Sequence, residues 1–186
     1  MNLKNKIAIV TGGTRGIGRA ISLQMAQQGC KVLALYGRDR EAADSLKAEA
    51  DKKGLDITCL RGDLTHPEKF KEIVTQIQSL AEKVDIVIHC AASGVHRPAM
   101  ELSLKHMQWT FDINVHAIHH LLQALIDRIP RGGRIIGVTS SGATRVIPYY
   151  AAVGSSKGAL EALFRHYAYE LAPKGIAVNC VCPGLI

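Results

Sequence analysis

The chain has 186 residues, enough for one domain with a sizeable core, and close to half of them are hydrophobic, as in an ordinary folded protein. No apolar run approaches the roughly 20 residues of a membrane span, and the first residues lack the apolar stretch of a signal peptide. The formal net charge of +7 favours anionic partners, but no basic run or aromatic–basic stripe marks a nucleic-acid surface, so none is expected. The five cysteines, Cys30, Cys59, Cys90, Cys180 and Cys182, lack zinc-like spacing and read as reduced core thiols of a cytoplasmic protein.

Lys6 to Val10 is a short β-branched apolar run that reads as a buried strand. It leads into Thr11-Gly12-Gly13-Thr14-Arg15-Gly16-Ile17-Gly18, after which Ile17, Ala20, Ile21 and Met25 recur at helical spacing up to Gly29. A glycine-rich turn between a strand and a helix lets a phosphate approach bare backbone at the positive end of the helix. Gly12, Thr14, Arg15, Gly16, Ile17 and Gly18 are therefore candidate cofactor-binding residues.

Lys31 to Tyr36 reads as a second strand. An NAD site usually ends this strand with an acid for the ribose 2′-hydroxyl, but here Gly37-Arg38 follows and Asp39 comes late. Arg38, joined by Arg15, suits a 2′-phosphate in two-point contact, which points to NADPH. Arg40 to Lys53 is an amphipathic helix, and Asp56 to Leu60 a third strand. Asp63 and Leu64 lie just past that strand's end, where an open α/β sheet places ligands. Thr65 is expected to cap the next helix, with Glu68 at the box position. A fourth strand, Val84 to His89, leads to Cys90-Ala91-Ala92-Ser93-Gly94, small enough to lie against a ligand.

His106 to Ile129 has helical periodicity and stops before Pro130. Within it, His116, His119 and His120 have a spacing that can bind metal, but no carboxylate or cysteine is seen to complete a site, and interhelical packing is expected instead. Arg134 to Val138 is a fifth strand, followed by Thr139-Ser140-Ser141. Tyr150 to Leu171 is expected to be one helix, and Ile176 to Cys182 a sixth strand, with Pro183-Gly184-Leu185-Ile186 as a closing loop. Alternating strands and helices imply an α/β, Rossmann-like, doubly wound parallel sheet in a single domain over 1–186.

The last long helix carries a tyrosine and a lysine. Four residues turn a helix by about 400° and seven by about 700°, so both spacings return to one face. Position 153, four before Lys157, is Val and has no proton to give, whereas Tyr150 stands seven before it. A lysine ammonium nearby lowers a phenol's pKa. Tyr149 is adjacent, but lies about 100° away around a helix.

The motifs so far resemble those of the short-chain dehydrogenase/reductase family. The loop Thr11 to Gly18 looks like its cofactor turn, Asp63 its adenine-side acid, and Asn114 in Asp112-Ile113-Asn114-Val115 its proton-relay asparagine. Ser140 matches the substrate-orienting serine, Lys157 the lysine that also holds the nicotinamide ribose, and Pro183-Gly184 the loop near the nicotinamide. Two positions depart from the pattern: His89-Cys90-Ala91-Ala92 replaces the usual Asn-Asn-Ala-Gly, and Val153 replaces the usual tyrosine. The tyrosine seven before the lysine, with Ala91-Ala92-Ser93-Gly94-Val95 and Arg97-Pro98, is similar to NADPH-dependent enoyl-acyl-carrier-protein reductases of the third type. This resemblance implies hydride transfer from NADPH to the C=C bond of a 2-enoyl thioester on acyl carrier protein or coenzyme A, with Tyr150, Lys157, Ser140 and Asn114 as the catalytic set and no metal. A carbonyl reductase of the same family and a non-catalytic nucleotide-binding module are the alternatives. The resemblance also implies a longer, homo-oligomeric protein with a seventh strand and a substrate-covering segment after Pro183-Gly184, so a C-terminally shortened chain is expected.

Overall fold

In the computed structural model, described over residues 3–184, six parallel strands lie in the order β3-β2-β1-β4-β5-β6. They are β1 (Ile7–Thr11), β2 (Lys31–Tyr36), β3 (Ile57–Arg61), β4 (Ile86–His89), β5 (Arg134–Val138) and β6 (Ala177–Val181). The loop expected over 183–186 is described only to Gly184; Leu185 and Ile186 lie outside the described residues. Among the described residues β3 and β6 form the sheet edges. Helices α1 (Gly16–Gln27), α2 (Arg40–Lys52), α3 (Pro67–Leu80), α4 (Leu104–Phe111), α5 (Ala117–Leu125) and α6 (Ala151–Leu171) connect them. None of these is long and apolar enough to cross a membrane.

Side chains alternate across the pleat, so each strand feeds two cores. Ile9, Leu33, Val87 and Ile135 face α3, α5 and α6, where they meet Ile73, Ile118, Leu121 and Leu160. Ala8, Val10, Val32 and Ile88 face the other way, against Ala26 of α1 and Leu46 of α2. The near-continuous apolar strands follow from this covering on both faces. The chain reverses its winding between β1 and β4, and there the glycine turn after β1 faces the small residues after β4.

Three local expectations are corrected. Thr65 does not cap α3: His66 holds that position without a side-chain bond and Pro67 opens the helix. Pro at the first helical position lacks an N–H that would need a cap, and the Thr65 hydroxyl is drawn to Asp63 Oδ1 at 2.6 Å instead. The helix expected over 106–129 starts at Leu104, behind a Ser103–His106 capping box. It is broken by a wide π turn at Asp112–His116, and α5 ends in a 3₁₀ turn at Ile126–Arg128. Tyr150 is not inside α6 but is its N-cap residue, with φ −109° and ψ 11°.

The cysteines are free, but not all are core thiols. Cys30 is buried and its thiol is pushed up to about 11, chiefly by burial, whereas Cys182 is exposed.

α6 sits on β5 through a fitted pair. Gly137 lies under the Phe164 ring, and a Cβ there would come 2.8 Å from Cε1. Gly137→Ala should therefore lower unfolding free energy by about 1–3 kcal/mol, the usual range for overpacking. Adding Phe164→Leu should recover part of that loss in urea denaturation. Additive losses would show that the ring contact is not the cause.

Candidate functional site

The turn after β1 is built by close backbone approach. A Cβ on Gly18 would lie 2.1 Å from Gly12 O, and one on Gly12 would lie 2.9 Å from the Ala91 backbone. Only hydrogen fits at either place. Thr14 is buried in the turn, Arg15 stands at the N-cap of α1 and is exposed, and Ile17 is half-buried. The Arg15 side chain cannot accept from the free N–H groups there and the first turn of α1 holds no acid, so its positive end has no anionic partner from the helix itself.

Arg38 is exposed beyond β2. Asp39 is committed to α2, where Oδ1 accepts from Ala42 N at 3.0 Å and Oδ2 lies 4.0 Å from Arg15 Nη1. Burial works against the Asp63 charge, but hydrogen bonds from the Thr65 hydroxyl and main chain outweigh it and hold the carboxyl below its usual range. Leu64 packs on the sheet core, and Pro183 and Gly184 are exposed beyond β6.

A fully buried polar chain joins this turn to α6. In the parallel β1–β4 register Thr11 stands beside His89, and Thr11 Oγ1 lies 2.8 Å from His89 Nδ1. His89 Nε2 lies 3.1 Å from the Asn114 main-chain oxygen. A carbonyl only accepts, so Nε2 carries the proton and Nδ1 accepts from the threonine hydroxyl. That hydroxyl in turn accepts from Ala91 N. Asn114, in the π turn, accepts from Ser93 N and donates to Ser93 O and Ser156 Oγ, each at 2.9 Å. Ser156 closes the chain by donating to Val153 O. All three of the asparagine amide's principal bonds are thus made, which explains a polar side chain with no exposure.

Lys157 is buried next to this chain and donates to Val138 O at 2.8 Å. Burial pulls its pKa down. His89 is pushed from 6.5 to about 3, first by burial and then by the Lys157 charge. It is therefore neutral, as its hydrogen bonds require.

Tyr150 OH donates to Ser140 Oγ over 3.4 Å, and the serine oxygen also accepts from Gly142 N. The Tyr150 ring leans on His96, with centroids 5.5 Å apart. Tyr149, by contrast, is largely exposed and has φ +61°, a left-handed conformation that is costly for a bulky residue. That twist separates the two neighbouring tyrosines. Val153 is buried against Gly94, where a Cβ would meet its Cγ2.

The structure thus brings Ser140 to Tyr150 and Asn114 to the turn before Lys157. Sequence reasoning left His89 undecided and passed over Ser156 and Thr11 as partners. The Ser156 signal was its place beside Lys157; the Thr11–His89 pair becomes visible only with the strand register. The rings of His119 and His120 stay 5.8 Å apart, but the three helical histidines take different partners. His116 pairs with Asp112, a nearby carboxylate the sequence reading did not count. His119 stacks on Tyr167, and His120 sits edge-on to Phe70.

With a glycine turn at the β1–β4 reversal and a serine–tyrosine–lysine group at the end of β5 and start of α6, the chain belongs to the short-chain dehydrogenase/reductase family. Residues 12–186 match the family model described as Enoyl-(Acyl carrier protein) reductase. Tetrahydroxynaphthalene reductase of Pyricularia oryzae is 31% identical over 98% of this chain and 65% of its own length. The 1-cyclohexenylcarbonyl-CoA reductase of Streptomyces collinus is 28% identical, with the same coverage. A 3-oxoacyl-acyl-carrier-protein reductase of Staphylococcus epidermidis is 30% identical over 98% of this chain and 75% of its own. A dehydrogenase/reductase structure from Sinorhizobium meliloti 1021 superposes with a TM-score of 0.92 at 30% identity, covering 98% of this chain and 73% of that one. The Pseudomonas aeruginosa RhlG/NADP active-site complex gives 0.90 at 26% identity, covering all of this chain and 74% of that one. The chain therefore spans about two thirds to three quarters of the length of these proteins.

The buried imidazole makes stability depend on acid. Below 6.5 the unfolded histidine takes a proton that the folded one refuses until about 3, so stability is complete above 6.5 and falls as pH drops. By pH 5 the loss should be about 2 kcal/mol. Urea unfolding of the wild type and of His89→Asn at pH 7 and pH 5 measures it. The gap between the two proteins should move by that amount in the variant's favour at pH 5; a pH-independent gap would show that His89 is accessible to protons.

Proposed function

We propose that this chain is the nucleotide-binding and catalytic part of an NADPH-dependent reductase acting on the C=C bond of a 2-enoyl thioester. The observation that carries the reading is the pairing of Tyr150 with Ser140 while Val153 fills the position four before Lys157. In a ketone, the carbon to be reduced bears the oxygen that gathers charge. In a 2-enoyl thioester these atoms lie at opposite ends of a conjugated system. A donor set one turn earlier along the chain suits the longer separation.

The residues fit the cofactor. Gly12 and Gly18 permit the tight backbone packing of the turn, Gly16 has open space where a Cβ would stand, and the N-terminus of α1 suits a pyrophosphate. Thr14, Gly16 and Ile17 complete that turn. Arg15 and Arg38 suit the 2′-phosphate, and the commitment of Asp39 to α2 disfavours its use on a 2′-hydroxyl. Asp63, Leu64 and Ala91 would flank the adenosine, Lys157 would hold the nicotinamide ribose, and Pro183-Gly184 would lie near the nicotinamide. Bound there, NADPH supplies hydride.

Tyr150 then hydrogen-bonds the thioester oxygen, assisted by Ser140. Asn114 holds the Ser93 segment and α6 in register through its three amide bonds. The Streptomyces relative is named for a thioester whose double bond is conjugated to the carbonyl, which supports this substrate class. The net positive charge suits an anionic acyl carrier protein or coenzyme A. A cytoplasmic setting suits reduced thiols and this cofactor.

A second reading, reduction of a 3-oxoacyl thioester or other ketone, draws support from the relative named as a 3-oxoacyl-acyl-carrier-protein reductase. The two are separated by following NADPH absorbance with a 2-enoyl and, in parallel, a 3-oxoacyl thioester. Oxidation with the enoyl substrate is expected; oxidation with the ketone alone would reverse the assignment. For the cofactor, Arg15→Gln/Arg38→Gln should weaken NADPH binding at least about ten-fold and leave NADH binding unchanged. Equal weakening of both cofactors would contradict the 2′-phosphate role.

A further inference from the structure

Beside Tyr150 lies a cavity of about 310 Å³ between the segment at 97–99 and the loop at 142–150. It is an open groove whose apolar side is formed by Ile147 and Pro148, with Val146 98% exposed at its rim and Tyr150 part of its lining. Two guanidinium-bearing residues, Arg97 and Arg145, both exposed, line the same space, and among the described residues no acid does. Among the described residues neither guanidinium makes an ion pair or a hydrogen bond. By contrast, Arg19 and Arg128 are tied to carboxylate or carbonyl oxygens. The two walls are joined: Arg97 N donates to Tyr149 O at 3.1 Å, at the one residue of the loop held at positive φ. The strained turn thus holds the main chain of Arg97 against the same loop that carries Arg145.

Two unpaired cations at an apolar cavity, without a balancing acid, describe a receptor for an amphipathic anion. We propose that Arg97 and Arg145 form an anion subsite that takes an oxyanion carried by the thioester substrate, either a carboxylate on the acyl chain or the phosphate of its pantetheine arm. Arginine forks suit both groups, and the apolar wall takes the methylene chain between anion and thioester. This inference rests on the thioester reading above and adds what the substrate must carry.

Three saturated thioesters separate the sources: butyryl-pantetheine has no anion, glutaryl-pantetheine carries a terminal carboxylate, and butyryl-phosphopantetheine carries the phosphate. Their binding to the wild type and to Arg97→Gln/Arg145→Gln is measured by titration calorimetry. At least one anionic thioester should bind about ten-fold or more tightly than the neutral one. The double variant should lose that preference and bind the neutral thioester as the wild type does. Whichever anionic ligand shows the preference identifies the source. Equal affinities in the wild type, no measurable binding of any ligand, or an equal loss for all three in the variant would overturn the subsite. These ligands contain no reducible C=C or 3-oxo group. Preferential binding without enoyl turnover would therefore reject the reaction and keep the subsite, and enoyl turnover without preferential binding would do the reverse.

Discussion

One neutral imidazole ties the two halves of the site together. His89 spans from the Thr11 hydroxyl, at the mouth of the glycine turn, to the Asn114 carbonyl in the π turn. It has no exposure, and every polar atom it offers is used. Such a chain costs little when complete and a great deal when broken, because an orphaned buried group forfeits its hydration without return. Burial first, and then the nearby Lys157 charge, keep the imidazole neutral. The cation proposed for catalysis thus also helps to set the protonation of the residue that positions its neighbours.

From that anchor the rest follows by contact. Asn114 bonds Ser93 and Ser156 from within the π turn, a helical irregularity frequent at functional sites. Lys157 ties the first turns of α6 to the sheet end through Val138 O, while Ser156 receives the Asn114 amide and bonds back to Val153 O within the helix. Phe164 fits α6 over Gly137. Tyr150 is thereby set just ahead of a rigid helix, with its hydroxyl toward Ser140 and its neighbour Tyr149 twisted outward.

Much of the fold was legible because its pattern is local. Apolar runs, glycine punctuation and helical spacing each report on a few adjacent residues, and the strand–turn–helix order follows from them. Thr65 was misread because a hydroxyl at the right spacing can serve either the helix or a neighbouring carboxylate, and Asp63 won. The π turn escaped because one wide turn scarcely disturbs the periodicity of 106–129. Tyr150 was placed inside the helix because nothing in Tyr149-Tyr150 announces a left-handed residue. The role of His89 needed the β1–β4 register, which brings together residues 78 apart. The phenol is fixed not by a helical face but by an N-cap position next to Ser140.

We propose that this phenol, and not its neighbour, stabilises the reacting oxygen. The most direct measurement is enoyl-thioester turnover and NADPH affinity for Tyr150→Phe and Tyr149→Phe side by side. Tyr150→Phe should lower turnover by on the order of 10²–10⁴-fold with NADPH affinity unchanged, and Tyr149→Phe should stay near wild type. A loss confined to Tyr149→Phe would contradict the account.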